Sequence, residues 1–140
     1  MSKTRGDISF KTPTISKLNF SINENYDDNF SGNIKINLST NIKVAEKNEE
    51  EEIYFSKLII KTDSELESIP FNFLLEIEGL FYRERISDID METFAKRNTI
   101  AILYSYARPI ISDIVAKSGF PPYNIPFMNF SELDLNEDDD

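Results

Sequence analysis

The hydrophobic period of this 140-residue sequence changes once, and the change constrains its fold class. Along residues 34–44 apolar side chains favour every second position, which is typical of a half-buried antiparallel strand. Between residues 89 and 115 they recur at every third or fourth position, which predicts an amphipathic helix. The chain therefore predicts an α+β fold in which antiparallel strands come first and one long helix follows.

Four further extended segments are predicted from the same alternation. A short strand ends before Pro13, and a second short segment covers residues 17–23. Two longer strands cover residues 53–62 and 70–84, and Gly79 in the last one indicates a β-bulge or a close backbone approach. The strand at 53–62 is apolar on both faces, which favours an oligomer contact. These segments predict a four-stranded antiparallel sheet with one additional extended piece.

The predicted helix carries signals at its start, its middle and its end. Ser87 or Asp88 can cap its first turn, and Gly119 fits the C-terminal cap. Pro109 removes one helical hydrogen bond, so we expect a kink or a break into two helices near Ser105.

Length and the two ends of the chain predict one domain over residues 1–140. Residues 1–6 are expected to form a loose start, and residues 136–140 an acidic mobile tail. No apolar run reaches the length of a membrane span, and residues 1–7 lack the apolar core of a signal peptide. We therefore expect a cytoplasmic protein that does not insert into membranes.

Composition excludes several classes of function. The chain has no cysteine and no histidine, which rules out thiolate zinc sites, disulfides and cysteine or histidine nucleophiles. Its formal net charge of −10 argues against nucleic acid or an anionic membrane as a partner, because both require a basic surface.

Paired carboxylates are the only candidate catalytic or metal-binding groups. Glu76 with Glu78, or Asp88 with Asp90, could in principle perform acid–base chemistry or hold a divalent metal. The first pair, however, simply shares the solvent face of a strand, and the second favours a helix start. There is also no glycine-rich phosphate loop. The sequence predicts neither an enzyme nor a cofactor.

The C-terminal part of the chain carries four short motifs in a characteristic order. They are Tyr-Ala-Arg at 106–108, Ile-Ile-Ser-Asp at 110–113, Gly-Phe-Pro-Pro at 119–122 and Asn-Phe at 129–130. This order resembles the SecB family, tetrameric bacterial chaperones that hold unfolded proteins before export. Near the start, Asp-Ile-Ser-Phe at 7–10 and Pro13 are similar to the family's first strand. The resemblance covers residues 7–130.

The resemblance implies a four-stranded antiparallel sheet and a long helix, assembled as a homotetramer that is a dimer of dimers. Apolar grooves of such a tetramer bind unfolded precursor proteins without ATP. By this match Leu18, Phe20 and Ile22 would line the client groove. The residues expected to flank it are Phe130, Leu133 and Leu135. Judged by alternation alone, residues 17–23 could equally be one more edge strand on the core.

The resemblance also implies a docking site for the SecA motor on the exposed sheet face. Asp7 and Glu76 match the acidic pattern of that site, whereas Lys11 and Leu74 stand where acids are common. Two other functions are compatible with the sequence. One is a SecB-like chaperone of an antitoxin, and the other is an oligomeric adaptor that binds a single folded partner.

Overall fold

The computed structural model describes residues 8–24, 34–62, 69–84 and 92–121, together with residues 123, 125 and 130. Several predicted positions lie outside these residues, namely Asp7, Ser87, Asp88, Leu133, Leu135, the loose start and the acidic tail. The described elements in chain order are β1 (Ile8–Phe10), β2 (Thr14–Ile22), β3 (Ile36–Lys47), β4 (Glu51–Thr62), β5 (Phe71–Glu84) and α1 (Glu92–Lys117).

The strands form one antiparallel sheet in the order β1-β5-β4-β3, and β2 also pairs with β5. β1 lies opposite residues 81–83 of β5, and β2 lies opposite residues 71–78. The two short strands therefore share one edge of β5, end to end. The predicted α+β fold, with an antiparallel sheet followed by a long helix, is confirmed.

The hairpin between β3 and β4 is tight, although residues 46–52 are all polar and mostly acidic. A β-bulge at Ala45 shifts the register, so the next two residues continue to pair with β4. The turn is closed by Asn48, whose side-chain oxygen accepts hydrogen bonds from the amides of Glu50 and Glu51 at 2.8 and 2.9 Å. This local side-chain capture explains how a mostly acidic segment forms a short turn.

The core lies between the sheet and α1, which packs over β4 and β5. Alternate residues of these two strands are buried on the helix side, which is the period-two pattern that predicted them. The buried apolar side chains of the strands and the helix form one cluster, which includes Tyr54, Leu58, Ile60, Phe71, Phe73, Leu75, Ile77, Phe81, Ile100, Leu103, Ala107, Ile111 and Val115.

Small residues bring the helix close to the middle of the sheet. Ser56 lies opposite Gly79 in the β4–β5 register, and its hydroxyl is 2.7 Å from that of Thr99 on α1. The Thr99 hydroxyl donates to the carbonyl of Lys96, so the Ser56 hydroxyl donates to Thr99. The β4–β5 register runs through Gly79 without a bulge. A side-chain carbon at Gly79 would lie 3.4 Å from the ring of Phe81 and 3.8 Å from the Cα atom of Pro13, both ordinary contact distances, so the structure shows neither the predicted bulge nor a close backbone approach at this glycine.

A buried ion pair joins β4 and β5 near one end of the sheet. Arg83 donates from Nη2 to Oε1 of Glu52 over 2.8 Å, and both side chains are more than nine-tenths buried. The two residues are direct cross-strand partners on the helix side of the sheet. Glu52 and Arg83 occupy positions in the same period-two row as the buried residues of their strands. The sequence therefore did not indicate that they would pair.

The helix runs unbroken from Glu92 to Lys117, so the predicted break into two helices is wrong. Pro109 is exposed on its surface, where the lost hydrogen bond of the backbone is tolerated. The predicted cap is confirmed, because Gly119 has φ 92°. The amides of Gly119 and Phe120 donate to the carbonyls of Ala116 and Val115, which is the Schellman arrangement.

Candidate functional site

Strand β2 carries the first three residues of the predicted groove on the helix side of the sheet edge. Leu18, Phe20 and Ile22 lie opposite Leu75, Phe73 and Phe71, which belong to the core. Leu18 remains 37% exposed and Ile22 50%, whereas Phe20 is half-buried. The edge-strand alternative is therefore correct for the backbone. The side chains nevertheless extend the apolar core face into solvent.

The same apolar row continues into β1. Phe10 lies opposite Phe81, and Ile15 lies opposite Ile77, so both also face the helix side. Both are among the exposed large apolar side chains of the chain. We call Phe10, Ile15, Leu18, Phe20 and Ile22 the edge strip.

Sequence reasoning missed Phe10 because it lies on a separate strand, β1, and it missed Ile15 because of a β-bulge in β2. The β2–β5 register shifts between Ile15 and Lys17, and the intervening Ser16 instead donates its hydroxyl to the carbonyl of Glu76 over 3.3 Å. An extra residue reverses the parity of a strand, so Ile15 shares a face with Leu18 although their spacing is odd. Ser16 lies where the alternation of apolar residues changes from odd to even positions. This change is the sequence signal that could have indicated the bulge.

Aromatic rings support both ends of the edge strip. Phe20 stacks on Phe71 with ring centroids 5.5 Å apart, and Phe71 lies 5.4 Å from Phe120, which follows the helix. At the other end Phe10 lies 6.0 Å from the exposed Tyr106 of α1 in an edge-to-face contact. Aromatic rings prefer stacked or edge-to-face arrangements, so these contacts hold the strip at a fixed position beside the helix.

Three hydrogen bonds secure the backbone on either side of the segment after β2. Asn23 donates from its backbone amide to the carbonyl of Pro70 and from its side chain to that of Ile69. Tyr123 donates its hydroxyl to the carbonyl of Ile34 over 2.9 Å. Burial raises the pKa of the Tyr123 hydroxyl above 10.0, so it stays a donor at neutral pH.

An open groove of about 590 Å³ adjoins the end of β2. Its lining combines apolar and amide groups with one cation, and consists of Leu18, Asn19, Phe20, Ser21, Lys61, Thr62, Asn72, Phe73 and Leu74. Such a mixture suits an extended polypeptide, which presents both apolar side chains and backbone polar groups.

The remaining predicted groove residue in the described part of the chain, Phe130, contacts a different surface. Its ring packs edge-to-face on Tyr104 of α1, with centroids 5.2 Å apart. Burial raises the pKa of Tyr104, and Arg108 opposes that shift. The described contacts therefore place Phe130 on the helix and the three β2 residues on the sheet edge.

On the outer face of the sheet, opposite the helix, Glu76 does not stand alone. Its carboxylate is 3.1 Å from the ammonium group of Lys57 and lies opposite Lys17 in the register. Leu74 lies nearby opposite Asn19, and Lys11 lines a separate cavity of about 350 Å³. Of the two acids predicted to form the docking site, the structure describes only Glu76. The neighbouring lysines partly neutralise its charge.

The outer face also bears an apolar patch formed by two cross-strand pairs. Ile53 lies opposite Tyr82, and Phe55 lies opposite Leu80. Leu80 and Tyr82 are 45% and 40% exposed. The side chains agree with the sequence pattern that predicted apolar residues on both faces of β4.

Other kinds of site find no support in the described ranges. They contain no group of three or more acidic, cysteine or histidine side chains placed to hold a metal ion. None of the described helical residues forms a helix apolar and long enough to cross a membrane.

Comparisons with known proteins agree with these features. Residues 6–138 match the family model described as SecB, preprotein translocase subunit SecB. Protein-export protein SecB 1 of Francisella tularensis subsp. novicida is 32% identical over 121 residues, which cover 85% of this chain and 80% of the relative. Protein-export protein SecB of Cereibacter sphaeroides is 35% identical over 63 residues, which cover 44% of this chain and only 38% of the relative.

Two solved structures share the fold at low sequence identity. A protein of unknown function from Streptococcus agalactiae superposes with a TM-score of 0.63 at 10% identity, covering 89% of this chain and 100% of that one. The SecB-like chaperone of Mycobacterium tuberculosis, solved with a ChAD peptide from the HigA1 antitoxin, gives 0.53 at 9% identity and covers 87% and 88%.

Proposed function

The chain belongs to the SecB family of preprotein translocase subunits, and from this premise we propose that it is an ATP-independent chaperone of protein export. It would hold unfolded precursor proteins on apolar surface and keep them competent for the Sec translocase. The observation that carries the proposal is the edge strip, a row of five apolar side chains along one face of β1 and β2. Four of the five are among the exposed large apolar residues.

The chemistry of the strip fits extended clients of varied sequence. Among the described residues β2 pairs only with β5, so its other backbone edge can accept main-chain hydrogen bonds from an added strand. Apolar contact is non-directional, and roughly 400 Å² of it supplies on the order of 10 kcal/mol before ordering costs. Neither contribution requires a particular client sequence or a nucleotide.

A light-scattering assay tests this function directly. A chemically unfolded, aggregation-prone client is diluted into buffer without nucleotide, with and without the protein. We expect near-stoichiometric protein to suppress the scattering, because the edge strip covers exposed apolar segments of the client. Unchanged scattering would favour the adaptor that binds one folded partner.

Two matched double variants locate the client surface. Leu18→Ser with Ile22→Ser removes exposed apolar area from the edge strip, and Leu80→Ser with Tyr82→Ser removes similarly exposed area from the outer face. Phe20 is left intact because it packs on Phe71. At about 1 kcal/mol for each partly exposed side chain, we expect the first variant to bind clients roughly 30-fold more weakly. The second should bind like the parent once sedimentation shows that it assembles like the parent, and equal losses in two normally assembled variants would remove the strip from the site.

The SecB-like chaperone of similar fold was solved with an antitoxin peptide, which suggests a narrower alternative. In that alternative the client is one antitoxin rather than many precursors. Such a chaperone would protect its cognate antitoxin from aggregation but leave unrelated unfolded clients unprotected. Running the same scattering assay with several unrelated clients distinguishes the two functions.

We also propose a tetramer built as a dimer of dimers. The outer patch on β4 and β5 leaves more apolar surface than one chain of 16.2 kDa covers by itself. Sedimentation at micromolar concentration should therefore show four chains in one particle. A stable monomer under those conditions would contradict this assembly.

Docking to the SecA motor is a narrower proposal, which rests on Glu76 and Asp7. Because Lys57 already contacts Glu76, we expect only a modest effect from neutralising this acid. Titration of SecA with the parent and with Glu76→Gln should show a loss of up to about tenfold at low salt. Identical binding of both proteins would exclude Glu76 from the docking site.

A further inference from the structure

The hydrophobic pattern of β4 and β5 does not by itself determine how these strands align. A shift by two residues would keep every helix-side residue on its own face. Leu58, which now lies opposite Ile77, would then lie opposite Leu75 or Gly79, and the contact would stay apolar or neutral. A shift by one residue is already disfavoured, since it would turn Glu76 and Glu78 towards the helix.

The buried ion pair responds differently to the same two-residue shifts. In the observed register the guanidinium of Arg83 meets the carboxylate of Glu52 at 2.8 Å, and both are buried. A shift in one direction would place Glu52 opposite the ring of Phe81. A shift in the other would place Arg83 opposite Tyr54. Either shift separates two buried charges that direct contact now compensates, which is strongly unfavourable.

We propose that Glu52 and Arg83 are a register lock for the β4–β5 pairing, and that they contribute alignment more than net stability. The desolvation cost of a buried ion pair offsets much of the attraction between its charges. Its main energetic effect is therefore to disfavour arrangements that separate the two charges. The lock has a consequence for the edge strip. Ser56 of β4 is bonded to Thr99 of α1, whereas the strip is paired with β5. The β4–β5 register, together with the direct packing of α1 on β5, therefore sets where the helix lies along the strip.

Engineered cysteine pairs can read this register, because the chain contains no cysteine of its own. Lys57→Cys with Glu78→Cys reports the observed register, in which these outer-face residues are opposed. Lys57→Cys with Glu76→Cys, or with Leu80→Cys, reports the two shifted registers. Each pair is oxidised in the parent background and in the background Glu52→Leu with Arg83→Met, and the cross-linked fraction is measured.

We expect the apolar background to fold as stably as the parent and to raise the shifted-register cross-link by about tenfold, equivalent to about 1.4 kcal/mol of lost alignment preference. A control background, Asp113→Leu with Lys117→Met, removes the exposed ion pair of α1 and should leave all yields unchanged. A folded apolar variant with parental yields would overturn the lock. If the apolar variant does not fold, Glu52→Gln decides instead. In this single variant the cross-linked fraction of the shifted-register cysteine pairs must rise above that in the parent. An unchanged fraction overturns the proposal.

Discussion

Replacing Phe81 by alanine should lower the free energy of unfolding by about 3–5 kcal/mol, because the ring is fully buried and its loss leaves a cavity. The ring centroid lies 5.5 Å from that of Phe10, its cross-strand partner in β1, so the cavity would open beside Phe10 on the helix side of the sheet. Urea unfolding at one fixed protein concentration measures the change, since assembly would make the midpoint depend on concentration.

The neighbouring residue is the control for this cavity. Leu80 precedes Phe81 in β5 but faces the opposite side of the sheet and is 45% exposed. Leu80→Ala should therefore cost less than about 1 kcal/mol. Similar losses for the two variants would show that the core does not lie on the helix side of β5.

Arg83→Met should lower the free energy of unfolding by about 3–5 kcal/mol, a loss comparable to that of Phe81→Ala. The substitution keeps much of the side-chain volume but deprives the buried Glu52 carboxylate of its guanidinium. Urea unfolding of the single variant measures this cost. The double variant with Glu52→Leu should recover most of it, because no buried charge then remains at the pair.

Lys57→Met is the matched control, since it removes a cation from a pair that solvent reaches. The Lys57 and Glu76 side chains are 29% and 17% exposed, compared with 7% and 1% for Arg83 and Glu52. Screening by water limits the expected loss to about 0–1 kcal/mol. A cost for Lys57→Met as large as that of Arg83→Met would mean that burial does not distinguish the two pairs.

The sequence predicted elements well because their signals are local. Alternation along residues 34–44 and the switch of period near residue 89 reflect which face of each element meets the core. The cap at Gly119 was predictable for the same reason, since a left-handed turn after a helix favours glycine. Pro109 was less informative, because a proline inside a helix permits either a kink or a break and the structure contradicts only the break.

The candidate site was harder to predict because its geometry depends on pairing and bulges. The resemblance predicts Leu18 and Ile22 in the groove and alternation allowed an edge strand, but neither could show which residues of β5 lie opposite them. The bulge at Ser16 hid Ile15 by reversing the parity, and Phe10 belongs to the separate strand β1. The Arg83–Glu52 contact joins residues 31 positions apart, so no local pattern could indicate it.

The pairing of β2 with β5 also has a consequence for the order of folding. The contact between Ser16 and Glu76 spans 60 residues, whereas β3, β4 and β5 follow one another as neighbours in both chain and sheet. During synthesis the N-terminal strands emerge first but have no β5 to pair with until much later. We therefore expect the β3–β4–β5 meander to form before β1 and β2 join it, because closing the longer loop costs more entropy. Until then the nascent chain exposes the five apolar side chains of the edge strip. During this period it is prone to the same aggregation that a chaperone prevents in other proteins.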